Sequence, residues 1–228
     1  ATVKPHATIP SVMAAAKAVL NESQIENGVA VIDLGGATTS VAVFEEGDLQ
    51  YVGVVPKGGV NITNDLAIGL KTDPEVAEKV KLQHAAAIAR GEPHKVSIKH
   101  EKETLFFDQA DVDEIVEARL EEIFELVNKE LKKAGRAGQL PSGAVLTGGT
   151  ANLKGMAEYA KSQLGVAVRI GKPHGFGGVA DEIDKPHFAA AVGLMLVDAE
   201  AATVRPHSSS MSKKSGGFIK SLLSKFKP

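Results

Sequence analysis

Two short runs of glycine and threonine, each following a dense aliphatic stretch, hold the residues best able to do chemistry. In the first, Val29-Ala30-Val31-Ile32 leads into Asp33-Leu34-Gly35-Gly36-Ala37-Thr38-Thr39, and a second apolar segment follows through residue 44. A glycine turn between two strands lets successive backbone N–H groups close around phosphate oxygens. The hydroxyls of Thr38 and Thr39 can add hydrogen bonds to the same group. Asp33, at the strand end, suits a carboxylate that orders a magnesium-bound or nucleophilic water. The same residues equally suit a plain β-hairpin whose Gly-Gly makes the turn.

The second run, Val145-Leu146-Thr147-Gly148-Gly149-Thr150-Ala151-Asn152-Leu153-Lys154-Gly155, lies roughly 110 residues downstream. Here a strand meets a helix through a glycine pair, so a flat base or ribose can lie against bare backbone. The alternative is a simple strand-to-helix turn with Asn152 as the cap. Between the two runs, Glu78 and Lys81 stand three apart on one helix face, an arrangement that also suits an ordinary solvated ion pair. At the far end, Phe218, Ile219, Leu222, Leu223 and Phe226 share one helical face while Lys220, Lys225 and Lys227 add positive charge. A short basic helix with aromatic residues after a polar linker suits an anionic bilayer surface; docking on the protein's own surface is the other reading.

The elements that must position these groups follow from pattern. An Ala-rich helix is expected over 11–20, strands over 29–34, 40–44 and 49–55, and helices over 61–70 and 74–90. Residues 91–100 read as irregular or weakly stranded, 104–107 as a short apolar piece, and 111–134 as a long amphipathic helix. A strand over 144–146, a helix over 152–164, a strand over 166–170 and a helix over 186–196 complete the expected order. Residues 198–217, small and polar, read as a flexible linker. No internal repeat is present.

Composition bounds the class. The chain has 228 residues, 43% hydrophobic and 24% charged, which excludes a disordered, collagen-like or multi-span membrane protein. Lys and Arg total 26 against 28 Asp and Glu, a net charge of −2, so bulk charge does not suit nucleic acid. Without Cys there are no disulfides or thiolate metal sites. With no Trp, two Tyr and eight Phe, the core must be aliphatic. Residues 1–20 lack a basic region followed by an apolar run, which speaks against a signal peptide.

Together the two glycine runs resemble those of the actin-like ATPase superfamily, which includes sugar kinases and heat-shock chaperones. Asp33 to Thr39 looks like its second phosphate motif, and Leu146-Thr147-Gly148-Gly149-Thr150 with Gly155 looks like its adenosine motif. Glu78 and Lys81 match the Glu-x-x-Lys that contacts ribose and base in bacterial actins. Within the superfamily, Val55-Pro56-Lys57-Gly58-Gly59-Val60-Asn61-Ile62-Thr63-Asn64-Asp65-Leu66-Ala67, Val168-Arg169-Ile170-Gly171-Lys172-Pro173 and Ala191-Val192-Gly193-Leu194 are similar to the FtsA family of bacterial cell-division proteins.

That resemblance implies an α/β, actin-like (ribonuclease H-like) core over 1–61 and 143–197 with a mixed five-stranded sheet. It further implies a smaller α/β subdomain inserted over 62–142, the linker over 198–217 and a membrane-binding helix over 218–228. It implies ATP with Mg2+ as the ligand, held by Gly35, Gly36, Ala37, Thr38, Thr39, Glu78, Lys81, Gly148, Gly149 and Thr150, with Asp33 reaching the metal through water and serving as the one catalytic candidate. It implies an adaptor that tethers FtsZ filaments to the cytoplasmic face of the cell membrane at the division site and polymerises like actin. Arg119 matches a basic position that contacts the acidic FtsZ peptide, with Lys129 and Lys132 as neighbours at helical spacing. The family's first phosphate loop and its inserted first-half subdomain have no counterpart in these residues, so half an ATP site and weak nucleotide binding are expected. Ala37 stands where the superfamily usually has a third Gly, and Ser40 replaces a common Asp; both depart from a vigorous ATPase. The rivals are half of an actin-fold kinase, a PilM-like pilus-assembly adaptor and, less so, MreB; none of them accounts for a membrane helix at this end.

Overall fold

The computed structural model describes residues 8–89, 91, 94–177 and 183–203. In chain order the elements are α1 (Ser11–Val19), α2 (Glu22–Asn27), β1 (Val29–Leu34), β2 (Thr39–Glu45), β3 (Asp48–Val55), α3 (Gly59–Gly69) and α4 (Pro74–His84). They continue as β4 (Lys95–His100), β5 (Glu103–Asp108), α5 (Gln109–Lys133), β6 (Ala144–Thr147), α6 (Met156–Leu164), β7 (Val168–Ile170) and α7 (Ala189–Thr203), with short 3-10 turns at Gly149–Asn152 and Pro186–Phe188.

Side-chain alternation along the central strands decides the layering. Ala30, Ile32 and Leu34 of β1, Val41 and Val43 of β2 and Leu146 of β6 join one buried cluster with residues of α3, α4, α5 and α6. Val29, Val31, Ala42, Phe44 and Val145 point the other way, into a second cluster with α1 and α7. The sheet runs β3-β2-β1-β6-β7. The meander β1-β2-β3 is antiparallel and β6 and β7 add in parallel, so it is mixed and five-stranded as expected. The core is aliphatic too: Phe44 and Phe124 are the two aromatics among the largest fully buried side chains. On the second face α1 and α7 cross so closely that a Cβ on Gly193 would lie 1.7 Å from the Ala14 carbonyl.

Two features of this topology place the site. Asp33 pairs with Thr147 at the carboxyl ends of the parallel neighbours β1 and β6, so both glycine runs leave the same edge of the sheet, side by side. Between β3 and β6 the chain inserts α3, α4, the antiparallel pair β4-β5 and α5, and this insertion sends α4 back over that edge.

Several boundaries differ from the sequence reading. A short α2 forms where none was anticipated, because Asn21 and Gln24 cap each other's backbone N–H groups at 2.9 and 3.2 Å. The helix expected to reach residue 90 stops at His84: Ala86 bridges to Lys154, and the Ala87 N–H donates to the Lys154 carbonyl at 2.8 Å. Burial of Ala85 to Ala87 against the second glycine region outweighs the few tenths of a kcal/mol of alanine helix propensity. The helix α3 starts at Gly59 rather than residue 61, and α5 starts at Gln109 rather than residue 111. The helix expected from residue 152 is a 3-10 turn followed by α6. At the other end α7 continues through Thr203, into the stretch expected to be linker. Lys17 of α1 holds that extension through an ion pair to Glu200 at 2.5 Å. The remainder of the expected linker and the expected membrane helix, with Phe218, Ile219, Lys220, Leu222, Leu223, Lys225, Phe226 and Lys227, lie outside the described residues. Among the described residues no helix is long and apolar enough to cross a membrane.

Candidate functional site

The first glycine run is a turn pulled tight from below. The Gly35 N–H donates to the carbonyls of Asp33 and Thr38 at 3.1 and 3.0 Å. A Cβ on Gly35 would sit 2.8 Å from the Thr38 carbonyl. The carbonyls of Gly35 and Gly36 in turn accept the N–H groups of Gly59 and Val60, the first residues of α3, at 2.9 and 2.8 Å. Thr150 adds its hydroxyl to the Gly35 carbonyl at 3.1 Å. A trans peptide holds its C=O and N–H antiparallel, so carbonyls drawn toward α3 turn the N–H groups of Gly36 and Ala37 to the opposite side. Neither donates to a protein acceptor among the described residues, and both residues are exposed. Two adjacent, outward N–H groups with no protein acceptor among the described residues suit an anion. Ala37 contributes its N–H as well as a glycine would. Thr38 is exposed beside them, whereas Thr39 is buried and donates its hydroxyl to the Lys57 carbonyl at 2.9 Å. Thr39 therefore braces the turn and does not present its hydroxyl to a ligand.

The second run turns out of β6 at Gly148, whose φ of +85° and ψ of 170° belong almost exclusively to glycine. A Cβ there would also meet the Leu34 carbonyl at 2.4 Å. Gly149 is unconstrained: an added Cβ meets nothing within 4 Å. Asn152 sits in the 3-10 turn and donates to the Gly149 carbonyl at 3.0 Å, so it closes this turn and does not cap α6.

The third contribution comes from α4. Lys81 is largely buried, with 12% of its side chain exposed, and lies 2.7 Å from Glu78 Oε2. Its ammonium also donates to the Thr63 hydroxyl at 2.8 Å and to the Gly59 carbonyl at 3.1 Å. The Thr63 hydroxyl is also hydrogen-bonded to the same Glu78 oxygen. Burial raises the Glu78 pKa, but hydrogen bonds from Lys81 and Thr63 outweigh it and hold the carboxyl below its ordinary value. Lys81 is thus held between α4 and α3, while the Glu78 side chain stays 41% exposed.

These three stretches converge on one pocket of about 380 Å³, where Gly36, Gly59, Val60, Glu78, Lys81, Leu82, Gly149 and Thr150 are among the lining residues. Leu82 is 73% exposed on its rim. Asp33 stands behind the turn. Burial pushes its pKa up, only partly offset by the hydroxyls of Thr147 and Ser11. Sequence reasoning missed Gly59, Val60 and Thr63 as parts of this site. The signal was a third glycine pair, Gly58-Gly59, separated by two residues from the end of β3.

The residues expected to meet a partner peptide divide. Arg119 on α5 is engaged by Asp65 of α3, at 2.5 and 2.9 Å, and by Glu122. The hydrogen bond to Asp65 raises the guanidinium pKa further above its usual value. An incoming carboxylate must displace one already present. Lys129 and Lys132 are exposed and make no ion pair among the described residues. They border a separate hollow of about 390 Å³ whose walls include Val54, Val55, Pro56 and Leu126. Among the described residues no group of three or more metal-ligating side chains occurs.

A family model described as "Cell division protein FtsA" matches residues 30–193. The cell division protein FtsA of Pseudomonas aeruginosa is 36% identical over 188 residues, covering 81% of this chain and 45% of that protein. The chain spans about half the length of the curated relatives it matches. Among solved structures, MreB5 of Spiroplasma citri bound to ADP superposes with a TM-score of 0.68 at 15% identity, over 84% of this chain and 59% of that one. A MamK double helical filament superposes at 0.62 and 17% identity, over 86% and 59%. Both show an actin-like fold.

Proposed function

The chain belongs to the FtsA family of cell division proteins, and on that premise we propose that it supplies one wall of an ATP site in an adaptor that tethers FtsZ filaments to the cytoplasmic face of the membrane at the division site. The observation that carries the nucleotide part is the convergence of Gly36, Glu78 and Gly149 on one pocket beside two outward N–H groups with no protein acceptor among the described residues. Gly36 and Gly149 support it: neither has a conformation or a neighbour that requires glycine, and both leave open space at the pocket. The turn at Gly36 and Ala37 receives phosphate oxygens, Glu78 offers its second carboxylate oxygen to ribose hydroxyls, and Gly149 with Thr150 lies against the nucleoside. Bound Mg2+ would neutralise phosphate charge; with no group of three or more metal-ligating side chains among the described residues, it would be held by phosphates and waters, with Asp33 ordering one of those waters. A nucleotide-bound bacterial actin of the same fold supports this reading, and a filament of that fold supports self-association.

The adaptor part rests on the family and on the basic, apolar-faced terminal segment. Lys129 and Lys132, above an apolar floor, suit an acidic peptide with apolar side chains, the chemistry expected of the FtsZ C-terminus. Arg119 joins only by exchanging Asp65 or Glu122 for a peptide carboxylate. Family membership sets aside the kinase and pilus-adaptor alternatives. The deciding experiment is co-sedimentation of FtsZ with anionic liposomes, using this chain and a version ending at Gly217. Recruitment that needs residues 218–228 is the expected result; liposome binding without FtsZ would remove the partner, and no liposome binding would remove the membrane role.

A further inference from the structure

The family resemblance makes Lys81 a direct ligand of the nucleoside; the structure gives its ammonium a second task. It donates to the Thr63 hydroxyl and to the Gly59 carbonyl, and it forms an ion pair with Glu78. The Gly59 carbonyl belongs to the first turn of α3, the same turn whose N–H groups hold the carbonyls of Gly35 and Gly36. Thr63, four residues on and buried, keeps its hydroxyl within 3.2 Å of that carbonyl. A continuous chain of hydrogen bonds therefore runs from Lys81 and Thr63, through Gly59 and Val60, to the peptide planes of Gly35 and Gly36. Planarity carries it one step further, to the direction of the Gly36 and Ala37 N–H groups.

We propose that Lys81 and Thr63 are positioning residues for the phosphate-facing turn: they act on it through the first turn of α3, whatever contact Lys81 also makes with a ligand in the pocket it lines. Resting on the nucleotide reading above, this gives the two neighbours of Glu78 a further task. The anchor has to be buried because water would compete for the Gly59 carbonyl. It also has to be charged on one side, since a hydrogen bond from an ammonium is about twice as strong as a neutral one. Glycine at position 59 belongs to the same device: a Cβ there would lie 2.6 Å from the Thr150 hydroxyl that shares the Gly35 carbonyl.

The test uses this chain with Thr63→Val, which keeps the shape and removes the hydroxyl, Thr63→Ser, which restores it, and Lys81→Met. Amide hydrogen exchange of the ligand-free proteins is read at Gly59 and Val60, and inorganic pyrophosphate and adenosine are titrated separately while the Gly36 and Ala37 amides are followed by NMR. Expected are about tenfold faster exchange at Gly59 and Val60 in Thr63→Val and Lys81→Met, a several-fold loss of pyrophosphate affinity in both, and recovery in Thr63→Ser. Unchanged exchange would overturn the brace. Faster exchange with undiminished pyrophosphate affinity, or a loss confined to adenosine, would overturn the positioning role. Absence of any pyrophosphate or ATP response in the parent chain would sink the nucleotide reading, with the exchange data still deciding the brace.

Discussion

The two glycine pairs look alike in sequence and divide their labour in the same way. In each, the first glycine is demanded by the fold: Gly35 by the Thr38 carbonyl 2.8 Å from where its Cβ would be, Gly148 by its positive φ and the Leu34 carbonyl. In each, the second glycine, Gly36 or Gly149, has open space around it and lines the pocket. Neither conformation nor packing requires glycine at these two positions, and both leave room at the pocket for a ligand to approach the backbone. The pairs differ in how hard the fold insists. Gly148 is held in backbone space that side chains avoid, while Gly35 meets only a single close carbonyl.

That difference orders the expected effects. Gly148→Ala combines a glycine-only conformation with a backbone clash and should cost about 3 kcal/mol or more, read as a fall in the urea midpoint; a smaller loss than for Gly35→Ala would reverse the ranking. Gly35→Ala should cost about 2 kcal/mol, since the Thr38 peptide can yield by a few tenths of an ångström. Gly36→Ala and Gly149→Ala should leave stability unchanged or raise it by about 0.5 kcal/mol, because alanine narrows the unfolded ensemble. Both should nonetheless weaken ATP binding several-fold in an NMR titration, and destabilisation of either would end the claim that these glycines serve a ligand.

Asp33→Asn is the smallest change and the most diagnostic for the acid behind the first turn. Its carboxyl has a folded-state pKa raised above its ordinary value, with burial as the main cause. A raised carboxyl pKa means the ionised form costs the folded state stability at neutral pH, and that cost disappears as pH falls through the raised value to the unfolded one. Asp33→Asn should therefore melt no lower than the parent at pH 7, with any gap closing as the pH falls to about 4. Melting curves at pH 4 and 7 decide it; a variant markedly less stable at pH 7 would make Asp33 a structural residue.

Arg119 shows where local reasoning gives out. Its type, its helix and its exposed neighbours at Lys129 and Lys132 are legible along α5, but its partner Asp65 stands 54 residues away. Substituting Arg119→Glu would place a third carboxylate beside Asp65 and Glu122, so peptide binding is better probed at Lys129 and Lys132. The first and second glycine runs were recognisable because strand, turn and hydroxyl residues are contiguous. Their mutual contact, Thr150 to Gly35, spans 115 residues, and no local pattern reports it.

What the sequence by itself determined is whatever depends on neighbours in the chain: the apolar alternation of β1 and β2, the amphipathic α5, the aliphatic core and the family. The tertiary structure decided which groups are free. It spent the hydroxyl of Thr39 on Lys57, the ammonium of Lys81 on α3 and the guanidinium of Arg119 on Asp65, and left the N–H groups of Gly36 and Ala37 without an acceptor among the described residues. Hydrogen bonding is a competition among all groups within about 3 Å, and which groups come that close is set by how distant segments pack.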